Sequence, residues 1–412
     1  MPLKGACIFG QSGGPTSVIN ASAYGVFQEA LASDCITRVL GAAHGIKGIL
    51  DDKLYDISLE DANELALLPY TPSSALGSCR YKLADAAKDD TDYKRILDIF
   101  QKYDVRYFFY NGGNDSMDTC NKISKYMASV GYECRVIGVP KTIDNDLYGI
   151  DHCPGYGSAA KYIATSCMEV YHDAHVYDKG TVTIIEAMGY LPEVPFDVES
   201  CLAKIDAICR VKSGCMVVIS EGIHDANGVF IAEYGSSTEA DAFGHKQMGG
   251  AAQYLANLVK ERLGHKTRAI EFSLLQRCAA HCASKTDIDE AVIIGREAVR
   301  AAVSGQTDKM VGIVRAESDT YAASVKLFDL TSVANTERKF PLAWITEGGT
   351  AISNEFLDYI LPLIQGESAL PWENGMPRFA RLKKILRAPK AAPAKFYKIC
   401  AFRYCFLICN PL

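Results

Sequence analysis

The sequence predicts an α/β protein with mostly parallel sheets flanked by helices. Three observations lead there. Short apolar strand patterns alternate with amphipathic helical patterns through the first 320 residues, the strands run into glycine-rich turns, and those turns open helices. At 412 residues and 49% hydrophobic content the chain can bury sizeable cores in two or three domains. A net charge of −6 argues against bulk attraction to nucleic acid or a membrane surface, so any anionic ligand has to be met by local cations. The start, MPLKGACIFG, passes straight into a strand pattern with no signal-peptide layout, and fifteen cysteines without Cys-x-x-Cys spacing fit a reducing cytoplasm.

The first element, GACIFG, runs into Gly10, Gly13 and Gly14 and then a helix that Thr16 or Ser17 can cap. Glycines let backbone N–H groups approach an anion and a helix N-terminus favours negative charge, so the turn is built as a phosphate cradle. Taken alone, it suits close packing equally well. LGSCRYKL at 76–83 sets Arg80 after a small-residue turn, where its planar fork suits phosphate oxygens; the alternative is a solvated surface arginine. VRYFFYNGGNDSMDT at 105–119 is a second strand running into Gly112 and Gly113, with Asn114, Asp115 and Ser116 at the head of a helix. Oxygen ligands there suit Mg²⁺ bridging phosphate groups.

CRVIGV at 134–139 stops at Pro140, which disfavours helical backbone at Val139, and PKTIDND follows at 140–146. Lys141, Asp144 and Asp146 thus share one loop at the carboxyl end of a strand, where open α/β sheets bind ligands. An aspartate beside a hydroxyl there can accept its proton during phosphoryl transfer. The alternative is an Asx-rich turn.

Apolar spacing of three and four predicts helices over 158–174 and 286–305. TVTIIEA at 181–187 reads as a strand, and CMVVI at 215–219 leads into SEGI, which sets Glu221 at a strand end. Cys278, His281 and Cys282 follow LQR at 275–277 but lack a fourth ligand at metal spacing, so they read as a packed helix face. Pro and Gly at 366–376 suggest an exposed connection, and the basic, then Ala/Pro-rich 378–395 a solvated end. The final FYKICAFRYCFLICNPL is too short an apolar run, broken by Arg403, for a membrane span.

GQSGGPTSVINA, LGSCRYKL, GGNDS, PKTIDND, PEVPFD, SEGI and LQR, in that order, resemble the phosphofructokinase family over roughly residues 1 to 320. No Gly-x-x-x-x-Gly-Lys-Ser/Thr loop occurs, which separates the chain from Walker-type kinases. The resemblance implies two lobes with an active site in the cleft between them. It assigns residues 1–139 plus about 278–320 to a phosphoryl-donor lobe and 140–277 to a fructose 6-phosphate lobe, with 321–412 as a C-terminal extension. Where ATP-using members carry two glycines, this chain has Asp115 and Lys141. A carboxylate and a long cation there fill the space a nucleotide needs, and the family pattern marks the pair as that of the pyrophosphate-dependent branch.

The activity so implied is reversible transfer of phosphate from pyrophosphate to the 1-hydroxyl of fructose 6-phosphate in glycolysis, with Mg²⁺, by a homodimer. Asp144 is then the base, with Lys141 and Asp115 at the donor. Asp146 acts through the metal, beside Asn114, which departs from the aspartate many members use. Gly13, Arg80, Thr142, Ile143, Met188, Gly189, Tyr190, Leu274, Leu275 and Gln276 contact substrate, Glu221 the sugar hydroxyls and Arg277 the sugar phosphate.

Two departures oppose this. Tyr190 stands where the family's Met-Gly-Arg has arginine, and a helix and strand expected between Gly189 and PEVPFD are missing. A parallel connection needs about a dozen residues of crossover, so TVTIIEA and PEVPF cannot be linked in the usual way. These favour a non-catalytic homologue acting as a binding or assembly subunit; the intact Lys141, Asp144 and Asp146 favour the enzyme, with ATP as the alternative donor.

Overall fold

The computed structural model describes residues 2–387 except 177–180, 188–193, 213, 236–249, 319 and 348. Among the described residues, ten strands form the two larger sheets, beside two short two-stranded ribbons: β1 (Gly5–Gln11), β2 (Ile36–Ala42), β3 (Leu54–Asp56), β4 (Val105–Gly112), β5 (Arg135–Pro140), β6 (Val182–Ala187), β7 (Cys215–Ser220), β8 (Thr267–Glu271), β9 (Lys309–Arg315) and β10 (Ala323–Asp329). The larger sheet has the order β10-β9-β5-β4-β1-β2-β3. Its five inner strands are parallel, while β3 and β10 run antiparallel at the two edges.

Alternation along β1 explains why this sheet is buried on both faces. Ala6 and Ile8 pack with Phe100, Phe108 and Met117 on one side, and Cys7 and Phe9 with Phe27, Tyr107 and Phe109 on the other. Helices Thr91–Tyr103 and Asn114–Ser129 contribute to the first layer, and Ile19–Leu31 and Lys285–Val303 to the second. The last two cross at glycine: a Cβ on Gly25 would lie 2.2 Å from the Val292 carbonyl oxygen, and one on Gly295 2.2 Å from that of Ser22.

The smaller sheet, β7-β6-β8, is parallel throughout. Helix Tyr156–Ala174 covers one face through Tyr162, Ile163 and Cys167 against Ile185 and Phe272. Val198–Val211 and Ala251–Leu263 cover the other. The connection leaving β6 passes through residues 188–193, which lie outside the described residues. Residues 194–197 are irregular rather than a strand, and Val198–Val211, capped by the Asp197 carboxylate on the N–H groups of Glu199 and Ser200, makes an ordinary helical crossover from β6 to β7.

Residues beyond 320 are no appendage. They supply the edge strand β10, a loop at 335–339 and helix Asn354–Ile360. The basic stretch from 378, read as a solvated end, lies along the larger lobe: Glu64 pairs with Arg378 and accepts from Arg381 N–H, Glu60 accepts from the N–H groups of Lys383 and Lys384, and Arg387 pairs with Asp56. Acidic side chains on the lobe draw this segment onto its surface. The tail from 388 onward lies outside the described residues. Among the described residues, no helix is long and apolar enough to cross a membrane.

Candidate active site

The carboxyl ends of β1, β4 and β5 meet at one cavity of about 790 Å³. Three loops line it that the sequence separates widely: 12–16 after β1, 113–116 after β4 and 141–146 after β5, joined by Arg80, Arg277 and the 335–339 loop. Parallel strands place their following turns on the same edge of a sheet, which is why these glycine-rich segments converge.

Lys141 ties two of them together. Its side chain is 3% exposed, and its ammonium donates to the Gly14 carbonyl oxygen at 2.5 Å. Burial pulls it down to about 8, against the opposing pull of Asp144 and Asp146. The glycine turn is shaped to admit these cations. Gly13 has φ 73° and a Cβ there would meet Lys141 Nζ at 3.3 Å, while a Cβ on Gly14 would meet an Arg277 nitrogen at 2.9 Å.

Asp144 is exposed to the cavity, and Thr142 orders its turn: the Thr142 hydroxyl donates to Asp144 Oδ2 at 3.1 Å and accepts from Asp144 N–H at 3.1 Å. Asp146 sits deeper. Its Oδ1 is buried with no hydrogen-bond partner, and burial, then Asp144, pushes the carboxyl up to about 6. An orphaned carboxylate oxygen beside a second carboxylate fits a hard divalent cation. Asn114, expected at the metal, has its carboxamide engaged elsewhere: Oδ1 accepts from Asn335 N–H at 2.7 Å and Nδ2 donates to the Thr336 carbonyl at 3.0 Å. The amide clamps the 335–339 loop, which leaves Asp144 and Asp146 as the paired carboxylates of the 141–146 loop that line the cavity.

Arg277 stands on the short helix Leu275–Cys278 after β8 and reaches the glycine turn from the smaller lobe. Burial and then neighbouring Arg80 lower its guanidinium below the ordinary range, and both cations line the cavity. Glu221, at the end of β7, is pushed up to about 7, first by burial and then by Asp144 and Glu186. Asp115 and Ile143 line the cavity. Gln276 is 1% exposed beside it, whereas Leu274 and Leu275 are more than half exposed and do not line it. Met188, Gly189 and Tyr190 lie outside the described residues. Sequence reasoning missed Glu337 and Lys339, which line the cavity from a loop some 190 residues beyond PKTIDND. Only an unremarkable polar string, NTERK, marks them.

Comparison with known proteins agrees with this geometry. A phosphofructokinase family model matches residues 7–191. The chain is similar to the pyrophosphate–fructose 6-phosphate 1-phosphotransferase of Halomonas elongata, 41% identical over 403 residues and covering 91% of this chain and 96% of that one. It is also similar to the protein of the same name from Xanthomonas campestris pv. campestris, 42% identical over 414 residues, 94% of this chain and 98% of that one. The second alignment is longer than the chain's own 412 residues, so the relative carries stretches with no counterpart here. Among solved structures, the pyrophosphate-dependent phosphofructokinase of Marinobacter aquaeolei superposes with a TM-score of 0.83 at 38% identity, covering 96% of this chain and all of that one. With the glycine cradle, the lysine and the two carboxylates assembled at one sheet edge, and with near full-length similarity of this order, the chain belongs to the phosphofructokinase family.

Proposed function

We propose that the cavity transfers a phosphoryl group from pyrophosphate to the 1-hydroxyl of fructose 6-phosphate, giving fructose 1,6-bisphosphate and phosphate. The transfer exchanges one phosphoryl bond for another and runs in both directions. The observation that carries this reading is the buried Lys141 ammonium between the glycine turn and the Asp144/Asp146 pair. A fixed buried cation beside a glycine turn suits a compact polyanionic donor, and the lysine occupies room that a nucleoside would need.

Asp144, open to the cavity, takes the proton from the sugar 1-hydroxyl as its oxygen attacks phosphorus. The bridging P–O bond of pyrophosphate breaks, and the departing phosphate carries away the electron pair beside Lys141. Asp146, whose Oδ1 has no hydrogen-bond partner, would hold the divalent metal, which we assign as Mg²⁺; when bound, it would neutralise charge on the transferring phosphoryl group. Arg277 and Arg80 receive the sugar phosphate, for which fixed bidentate donors are suited. Glu221, at a strand end and half-buried, takes sugar hydroxyls.

The test is a coupled assay of purified protein with pyrophosphate and separately with ATP. Turnover with pyrophosphate supports the reading. Turnover with ATP alone overturns the donor assignment, and none with either donor leaves the non-catalytic homologue suggested by the short connection after Gly189.

A further inference from the structure

The two carboxylates of the site are presented by a backbone turn whose centre, Asn145, lies in the left-handed region at φ 57°. Asparagine tolerates that conformation better than most residues, but a tight turn of this kind still needs something to hold it. The Asn145 carboxamide does so by pointing away from the cavity. Its Oδ1 accepts from Cys153 N–H at 3.0 Å and its Nδ2 donates to the hydroxyl of Tyr359 at 2.9 Å. The same hydroxyl donates to the Asp151 carbonyl oxygen at 2.7 Å, so one phenol oxygen ties the catalytic turn to the segment that follows it.

Tyr359 is itself fixed from several directions. It is 8% exposed, on helix Asn354–Ile360. Arg315 and Arg338 lie over its ring at 4.8 and 5.7 Å from the centroid, and Trp344 stacks at 4.9 Å. Neither arginine is idle. Arg338 N–H donates to the Asp146 carbonyl at 2.7 Å and its guanidinium to the carbonyls of Ile150 and Asp151. Arg315 donates to the Asp151 carboxylate at 3.2 Å and to the Tyr359 carbonyl at 3.0 Å. The turn bearing Asp144 and Asp146 thus rests on a platform built from Arg315, Arg338 and Tyr359, residues that follow far later in the chain.

We propose that Tyr359 is a positioning residue for phosphoryl transfer, its hydroxyl holding Asn145 and thereby the relative placement of Asp144 and Asp146. The proposal rests on the functional reading above. Tyr359 does not line the cavity, so its loss acts on the geometry of the carboxylates rather than on binding. A base and a metal-holding carboxylate displaced by a fraction of an ångström lose rate while ground-state affinity persists.

The experiment is Tyr359→Phe, which removes one oxygen and keeps the ring between its arginines, with Asn145→Ala and the double variant. Two readouts are taken: steady-state kinetics with pyrophosphate, and amide hydrogen exchange of peptides covering 140–150 and, as a control, 156–174. We expect kcat to fall roughly 3- to 10-fold in Tyr359→Phe, with KM for both substrates within about twofold, the scale of one lost hydrogen bond. The double variant should lose less than the product of the two single losses, since both changes break the shared Asn145–Tyr359 link. Exchange should accelerate in 140–150 and not in 156–174. Unchanged kcat in Tyr359→Phe, additive losses in the double variant, or equal loosening of both peptides each overturns the proposal. Should the wild-type protein turn over neither donor, the functional reading fails, while the exchange readout still decides whether Tyr359 holds the turn.

Discussion

The ammonium of Lys141 donates to the carbonyl oxygen of Gly14 at 2.5 Å, joining the loop after β5 to the turn after β1 across the floor of the cavity. Because burial holds that amine near 8, its charge is present below that pH and lost above it. Pyrophosphate kcat/KM should therefore fall about tenfold per pH unit on the alkaline side. A profile that stays level into strongly alkaline solution would show that this charge takes no part.

Donor choice is tested by opening the space. Changing Asp115 and Lys141 together to glycine should admit ATP and depress pyrophosphate turnover on the order of 10²- to 10³-fold, the scale of a lost transition-state donor. Asp115→Gly alone should relieve the blockage with a smaller loss. Full pyrophosphate activity in the double variant would make both residues incidental.

Asp144→Asn keeps shape and hydrogen-bonding capacity but cannot take a proton. Turnover should drop about 10²- to 10⁴-fold while fructose 6-phosphate still binds, as read by protection in a thermal-shift titration. Near-normal turnover would remove Asp144 from its role.

The glycine crossing of helices Ile19–Leu31 and Lys285–Val303 should be sensitive to a single methyl. In Gly25→Ala the new carbon would lie 2.2 Å from a backbone oxygen that no rotamer change can move aside, and we expect a loss of roughly 1–3 kcal/mol. Urea unfolding measures it, and KM for pyrophosphate should not move.

His152 is almost fully buried between Asp151 and Glu290, each at 2.7 Å, and Glu290 also accepts from Tyr321. Burial opposes its charge, but hydrogen bonds to the two carboxylates prevail and raise it to about 9, above the 6.5 of an unfolded histidine. Its stabilising contribution is therefore complete below about pH 6.5 and lost as pH rises through 9. His152→Ala should destabilise by roughly 3–5 kcal/mol at neutral pH, because two carboxylates lose their shared cation. The gap from wild type should narrow above pH 9. A gap that widens with pH would contradict a charged His152.

Much of this site could be read from sequence because its parts are local. Gly13, Lys141, Asp144 and Asp146 sit in turns at strand ends, where a few neighbouring residues fix both the conformation and the chemistry. Asn114 was legible as a residue of the site but not in its partner, since a carboxamide at a helix start looks alike whether it faces a cation or clamps a loop. Lys339 and Tyr359 were not legible at all. Their positions follow from tertiary packing of a segment whose short elements carry little periodicity, and nothing in NTERKF or NEFLDYI indicates what lies across the fold from them. The connection after β6 is a separate case: residues 188–193 lie outside the described residues, and residues 194–197 form the irregular lead-in to the capped helix Val198–Val211.

The crossing at Gly25 and Gly295 also sets an order of events during synthesis. When residue 140 leaves the ribosome, β1, β2, β4 and β5 have all been made, but β5 lacks its outer neighbour β9, and helix Ile19–Leu31 lacks the partner that covers it. That partner arrives about 150 residues later, a delay of roughly 10 to 30 s at ordinary elongation rates. Through that interval the nascent chain carries an open strand edge and a bare apolar helix face, the surfaces that chaperones recognise and that self-associate in their absence. Slowing translation between residues 140 and 285 should therefore lower the yield of native protein more than slowing it after residue 330.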